Sequence, residues 1–422
     1  MSDLLLSWYG DDFTGSTDSM EALTLAGARA VLFLDPPSPE ILRERFPHAR
    51  ALGVAGRSRT MTPEEMDRAL PGAFERLRAL GAGIFHYKIC STFDSSPRVG
   101  SIGRAIEIGR RVFGGATVPL LVGAPVLRRY TLFGNLFATF DGVTHRIDRH
   151  PTMSRHPVTP MDEGDLRIHL GRQTALRIGL FDILALAAEP AAVSARYREA
   201  LAAKPDVLLF DVLDDARMET AGRLIWESRP PFVAGSSGVE YALGAHWKSA
   251  GLAPGRWEAS PPGPADRALV VSGSCSPVTE RQIGWALENG FEGVPLEGDA
   301  SRRRAAAALG KGRSVVLYSA RGKATEDARE AGGRIGEELG GIAADLLEET
   351  GVRRVVVAGG DTSGAVGRRL GIEALEMTVP IAPGSPLCRA WGRGPADGLE
   401  IAMKGGQVGK PDYFGAVLRG SA

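Results

Sequence analysis

LLLSWYGDDFTGSTDSMEAL, Leu4–Leu23, passes from an apolar run through a glycine and two adjacent carboxylates into a stretch where Met20 and Leu23 recur at helical spacing. A short apolar run closed by a turn and followed by a helix start is the signature of one βα unit. The same alternation continues outward from it. Apolar runs near Ala30–Leu34, Ala51–Ala55, Ile84–Lys88 and Pro119–Val122 read as strands, and helical patterns lie between them. Thr62-Pro63-Glu64-Glu65 opens one such helix with a cap hydroxyl, a proline at the first helical position and early acids. Met66, Leu70, Phe74 and Leu77 then follow on one face. The fold class this implies is α/β, with largely parallel sheets covered by helices.

At 422 residues the chain exceeds one ordinary core, so two α/β domains with an active-site cleft between them are expected. Residues 127–160 break the rhythm, being rich in aromatics, His, Arg and Gly without a helical period, and read as an excursion or hairpin insertion. The alternation resumes at Arg177–Phe181, Val207–Asp211 and Phe232–Gly235. APGRWEASPPGP, residues 253–264, is dense in proline and glycine and reads as a linker. The N-terminal domain is therefore placed at 1–252 and the C-terminal domain at 265–422. Strands near Leu269–Ser272, Val315–Tyr318 and Val355–Ala358 mark the latter.

Bulk properties narrow the function. Lys+Arg and Asp+Glu both number 50, so the long-range positive field that nonspecific nucleic-acid binding depends on is absent. No apolar stretch approaches the roughly 20 residues of a membrane helix, and the start lacks a basic leader pattern, so a cytoplasmic protein is expected. Cys90, Cys275 and Cys388 are far apart and contain no CxxC pair, which fits reduced thiols. His145, His150 and His156 match no zinc spacing and are interleaved with arginines, so no protein metal site is expected. Dimerisation is the default expectation on symmetry grounds.

Ligands of α/β sheets bind at the carboxyl ends of strands. In the first half those loops are GDDFTG, GRSRT and KICSTFDSSP, supplying Asp11, Asp12, Thr14, Arg57, Arg59, Lys88, Ser91, Thr92 and Asp94. Such a mixture suits a small polyhydroxylated anion, with cations on a carboxylate and Asp side chains on hydroxyls. Ser16 or Thr17 suffices to cap the following helix, which frees Asp11 and Asp12, and one of these is expected to accept a substrate hydroxyl proton, with Asp94 in reserve. In the second half the loops are SGSCSPVT, AGGDTSGAV and MKGGQVG, where glycine and hydroxyl residues before helices make a phosphate cradle. A hydroxylated anion on one domain and a polyphosphate on the other describe a two-domain small-molecule kinase using ATP and Mg²⁺. No P-loop motif occurs. The rivals are an NAD(P)-dependent oxidoreductase, which lacks its G-x-G-x-x-G after the first strand, and a sugar-acid binding protein.

In order along the chain, GDDFTG, KICSTFDSSP, HPVTPMDEGDL, SGSCSPVTERQ, GGDTSGAV and KGGQVG resemble the four-carbon acid sugar kinase family. The resemblance spans residues 8–409. It implies a sugar-acid-binding N-terminal domain, an ATP-binding C-terminal domain, and phosphorylation of a tetronate or 3-oxo-tetronate hydroxyl. ATP contacts then fall on Ser272 or Ser274, on Gly359, Gly360, Asp361, Thr362 and Ser363, and on Gly405 or Gly406. Asp361 stands where many relatives carry Glu. Arg128–Pro157 departs from the erythronate and threonate kinases, which makes a branched acid such as 3-oxo-isoapionate the alternative substrate.

Overall fold

The computed structural model describes residues 4–320 and 332–421. The chain divides into two compact units, one holding residues up to Arg29 together with Pro36–Trp257, the other holding Ala30–Asp35 and the chain from Glu258 onward. Among the described residues no helix is long and apolar enough to cross a membrane.

The first unit is built on parallel strands in the spatial order Ala51–Ala55, Leu6–Gly10, Ile84–Lys88, Phe232–Gly235, Val118–Leu121, Val207–Phe210, Ile178–Phe181. Leu6–Gly10, Ala51–Ala55 and Ile84–Lys88 are buried along their whole length, as continuous apolar runs covered on both faces must be. Helix Pro63–Ala79 begins in the anticipated capping box, Thr62 and Glu65 each accepting the other's backbone N–H, and it buries Met66, Leu70, Phe74 and Leu77. Phe74 meets Phe85 at a centroid distance of 4.9 Å, and Phe85 stacks on Phe113 at 4.6 Å, so aromatic area fills one side of the sheet.

The excursion after Val118–Leu121 forms its own antiparallel sheet of Arg129–Leu132, Asn135–Phe140 and Val143–Arg146, followed by two short 3₁₀ turns. Its first turn is fastened by Asp211, which is fully buried at the end of strand Val207–Phe210 and accepts the N–H groups of Phe133 at 2.6 Å, Gly134 at 2.9 Å and Ile183 at 3.0 Å. Burial raises the Asp211 pKa against the pull of those three amides.

The second unit orders its strands Glu292–Pro295, Val315–Tyr318, Leu269–Ser272, Arg354–Ala358, Glu400–Lys404, Ser385–Gly392, Ile372–Ala382, Ala30–Phe33. The first five are parallel and the remainder antiparallel. Ala30–Phe33 departs from a division of the chain at 253–264: read from sequence as an N-terminal-domain strand, it pairs antiparallel with Ile372–Ala382. Residues 253–264 carry no regular structure. Arg354, only 2% exposed, ties the end of this stretch to the sheet. Its Nη1 donates to the carbonyls of Gly263, Val417 and Leu418, while Nε and Nη2 bond Glu400 at 2.8 and 2.5 Å. A buried guanidinium needs that full set of acceptors.

Candidate functional site

The carboxyl edge of the first unit's sheet gathers the anticipated carboxylates. Asp12, in extended backbone, caps helix Phe13–Leu25 by accepting the Gly15 N–H at 2.8 Å. This corrects the expectation that Ser16 or Thr17 caps. Those hydroxyls turn back on carbonyls, Ser16 Oγ donating to Asp12 O at 2.6 Å and Thr17 Oγ1 to Thr14 O at 2.8 Å.

The repulsion between Asp11 and Asp12 is answered by Arg59. Its Nε and Nη2 donate to the two Asp11 oxygens at 3.0 and 2.8 Å, and Nη1 donates to Asp12 Oδ2 at 2.9 Å. Thr14 adds a hydroxyl bond to Asp12 Oδ2 at 3.0 Å. The Arg59 fork is thus committed to protein carboxylates, whereas a substrate carboxylate was expected there. Burial pushes the Asp11 carboxyl up against the pull of Arg59. At Asp12 burial pushes the same way, but Arg59, Lys88 and the Gly15 and Thr14 donors outweigh it and hold the carboxyl below its ordinary value.

Lys88 ends its strand only 2% exposed, and its ammonium has no hydrogen-bonded partner among the described residues. A Cβ on Gly15 would lie 2.6 Å from Lys88 Nζ and 2.5 Å from Asp12 Oδ1, so glycine there admits both groups to the helix start. The loop after Lys88 carries Phe93 in the left-handed region at φ 58°. In it Thr92 Oγ1 donates to Asp94 Oδ1 and lies 2.8 Å from Cys90 Sγ. Asp94 Oδ2 takes no donor among the described residues. Burial, then the Asp94 charge, push the Cys90 thiol up, which keeps it a thiol rather than a nucleophilic thiolate. Ser91 is half-buried on the same turn. Arg57 is exposed and lines a separate open groove with Thr60, Met61, Glu65 and Arg68.

In the second unit a cavity of about 250 Å³ is lined by Gly273, Ser274, Gly359, Gly360, Asp361, Thr362 and Gly406, together with Cys275, Ser319, Ala320 and Ile335. Three expected loops therefore converge on one space. Ser272 lies fully buried at the strand end, Ser363 is buried and bonds the Gly359 carbonyl at 2.7 Å, and neither lines the cavity; nor does Gly405. Helix Gly360–Arg369 starts at Gly359, φ 124°, without a side-chain cap. A Cβ on Gly359 would lie 2.9 Å from Thr362 Oγ1, one on Gly273 2.3 Å from the same oxygen, and one on Gly406 2.8 Å from Ser274 Oγ. Uncapped helix-start amides behind a wall that admits no Cβ fit a polyphosphate, so the donor set suits ATP. Among the described residues no group of three or more His, Cys, Asp or Glu forms a metal cluster.

Sequence reasoning missed the groups behind this wall. Lys404, fully buried, donates from Nζ to Thr279 Oγ1 at 3.0 Å; Thr279 bonds the Gly406 carbonyl at 2.9 Å and Ser274 Oγ at 3.1 Å. Burial lowers the Lys404 pKa from an ordinary 10.5 to about 7. The available signal was positional: Lys404 closes an apolar strand just as Lys88 does.

Two family models match the chain. Residues 6–243 match a sugar-binding N-terminal domain and residues 269–414 a nucleotide-binding C-terminal domain. A 3-oxo-isoapionate kinase of Paraburkholderia graminis is 49% identical, over 99% of this chain and 94% of its own. A 3-oxo-tetronate kinase of Cupriavidus necator is 32% identical, over 98% of this chain and 96% of its own. Solved proteins of Salmonella typhimurium LT2 (TM-score 0.80, 24% identity, 99% of each chain) and Haemophilus influenzae (TM-score 0.74, 22% identity, 97% of this chain and 98% of the other) share the fold. With both domain models matched and relatives aligned along nearly its whole length, the chain belongs to the four-carbon acid sugar kinase family.

Proposed function

We propose that this kinase transfers the γ-phosphoryl group of ATP, accompanied by Mg²⁺, to a hydroxyl of 3-oxo-isoapionate, a branched sugar acid. The observation that carries the substrate is the split in identity: 49% to a 3-oxo-isoapionate kinase against 32% to a 3-oxo-tetronate kinase over the same span. In this reading ATP supplies the electrophilic phosphorus, and the chain's residues bind, orient and neutralise. Gly359, Gly360, Thr362 and Gly406 hold the phosphates by backbone amides and close approach. Asp11, Asp12 and Thr14, held rigid by Arg59, present acceptors to substrate hydroxyls, and Lys88 supplies positive charge beside them.

Of the three carboxylates, Asp94 offers the freest oxygen for the hydroxyl proton. Asp11 and Asp12 already accept two and three hydrogen bonds, while Asp94 Oδ2 accepts none among the described residues. The base is therefore assigned first to Asp94, and Asp11 with Asp12 to positioning.

ADP release measured with 3-oxo-isoapionate and with 3-oxo-tetronate tests the reading. A kcat/KM at least about tenfold higher for the branched acid, roughly the worth of one well-placed contact, is expected. Preference for the unbranched acid, or thermal protection by NAD(P) but not by ATP with Mg²⁺, overturns it.

A further inference from the structure

The antiparallel excursion and the turns after it carry one arginine and one histidine with a buried, unpartnered ring or guanidinium nitrogen. Arg129 opens its first strand and pairs back to Ala124, just beyond strand Val118–Leu121, the two residues exchanging N–H···O bonds of 2.9 and 3.1 Å. The turn reaches this register through Arg128 in the left-handed region at φ 55°. Arg129 Nη1 donates to the carbonyls of Leu127 and Arg128 at 3.0 and 3.1 Å. Its Nε is buried with no acceptor, and no carboxylate pairs with it among the described residues. Its charge acts on Cys90, the residue that also feels Arg59 and Asp94. Strand Val118–Leu121 lies next but one to Ile84–Lys88 in the sheet, so the Ala124–Arg129 pair stands at the same carboxyl edge as the loop that carries Cys90.

His150, 3% exposed, meets the His145 ring at a centroid distance of 6.0 Å, and His145 pairs with Ala138, which pairs in turn with Arg129. The His150 Nδ1 accepts from the N–H groups of Thr152 and Met153, each at 3.3 Å, and lies 3.1 Å from Thr152 Oγ1. An Nδ1 that accepts leaves the proton on Nε2, so Nε2–H is a donor. That nitrogen too is buried without a partner among the described residues. Burial, then Arg129, then His145 hold the ring's pKa below its ordinary value, which keeps it in this neutral form. Two buried donors without acceptors are costly unless something supplies one. Arg59 meanwhile has three of its five N–H donors committed to Asp11 and Asp12.

We infer that Arg129 and His150 form the carboxylate-binding half of the sugar-acid site, their Nε–H and Nε2–H groups donating to the acid group of the substrate while the Asp11–Asp12–Asp94 side takes its hydroxyls. This rests on the sugar-acid reading above and deepens it. It gives the excursion a task, selecting acids over neutral sugars, and it moves the anion contact from Arg59 to a residue whose charge is unanswered.

Three variants, Arg129→Met, Arg129→Lys and His150→Asn, test it in the full-length enzyme with 3-oxo-isoapionate and with its carboxamide. Asparagine keeps an acceptor near the Nδ1 position and removes only the Nε2 donor. Arg129→Met is expected to raise KM for the acid about ten- to a hundredfold, with KM for ATP within about twofold, the loss of one charge-assisted contact. Arg129→Lys falls between Arg129→Met and the wild type, and His150→Asn costs about three- to tenfold. Wild-type enzyme favours the acid over the amide, and Arg129→Met erases that preference. An unchanged KM for the acid, or equal losses on acid and amide, overturns the inference and leaves the kinase reading standing. Failure of the wild type to phosphorylate any sugar acid overturns both.

Discussion

Replacing Lys404 by methionine should stabilise the second unit at neutral pH, and that advantage should disappear in mild alkali. The side chain is fully buried, and the groups it bonds, the Thr279 hydroxyl at 3.0 Å and the Gly406 carbonyl at 3.5 Å, carry no charge to offset an ammonium. Burial accordingly brings its pKa from 10.5 to about 7. Below about pH 7 lysine is charged both folded and unfolded, so the full penalty for burying the ion is present; above 10.5 both states are neutral and the penalty is gone. Between those values the unfolded chain holds the proton that the folded chain has released, so stability rises with pH. Each pH unit well inside that window is worth about 1.4 kcal/mol, and the integrated gain from pH 7 to about pH 9.5 is about 3 kcal/mol.

Methionine has no such titration, and its loss of the two hydrogen bonds costs about 1–2 kcal/mol at every pH. The two terms give a gap that closes with pH. Lys404→Met should be more stable than wild type by about 3 kcal/mol at pH 7 and about equal to it at about pH 9.5. Urea unfolding of both proteins at the two pH values, following the transition of the second unit and comparing slopes, measures that gap. A gap that stays constant to within about 0.5 kcal/mol would show that the ammonium is not desolvated as its surroundings imply.

Two further outcomes follow from the two sites. Gly359→Ala places a Cβ on a backbone at φ 124° and 2.9 Å from Thr362 Oγ1, so ATP affinity measured by calorimetry should fall by about tenfold or more while sugar-acid binding is kept. Asp94→Asn should lower kcat about a hundredfold with little change in KM for ATP, and a larger kcat loss in Asp11→Asn or Asp12→Asn than in Asp94→Asn would return the base to that pair.

What the sequence made legible is what short-range pattern encodes. The βα rhythm, the capping box at Thr62 and Glu65, and each of the three glycine loops follow from residues within a few positions of each other, whereas the meeting of those loops at one cavity is made by the fold. The pairing of Ala30–Phe33 did not follow, because an apolar four-residue run states that it belongs in a sheet but not which strand it pairs with. Residues 30–35 group with the second unit, and their strand pairs with Ile372–Ala382 more than three hundred positions away.

The site residues were legible as types and not as partnerships. Asp11, Asp12 and Arg59 were readable as ligand groups, yet a carboxylate pair and an arginine 47 and 48 positions on can either bind substrate or bind each other. Geometry decides for the second, and that decision removes the strongest sequence candidate for the anion contact. The charge balance of the site then requires another cation. Lys88 provides one beside Asp12; the other, Arg129, sits in a stretch whose arginines and histidines looked interchangeable in sequence. Arg146, Arg155 and Arg167 illustrate why: Arg146 and Arg167 are paired to Asp148 and Asp165 near the surface, and Arg155 is exposed. Arg129 differs from its neighbours only in having a buried nitrogen and no carboxylate. An unanswered buried charge is a property of surroundings, so the residue with the clearest claim on the substrate's acid group was the one that sequence had least means to single out.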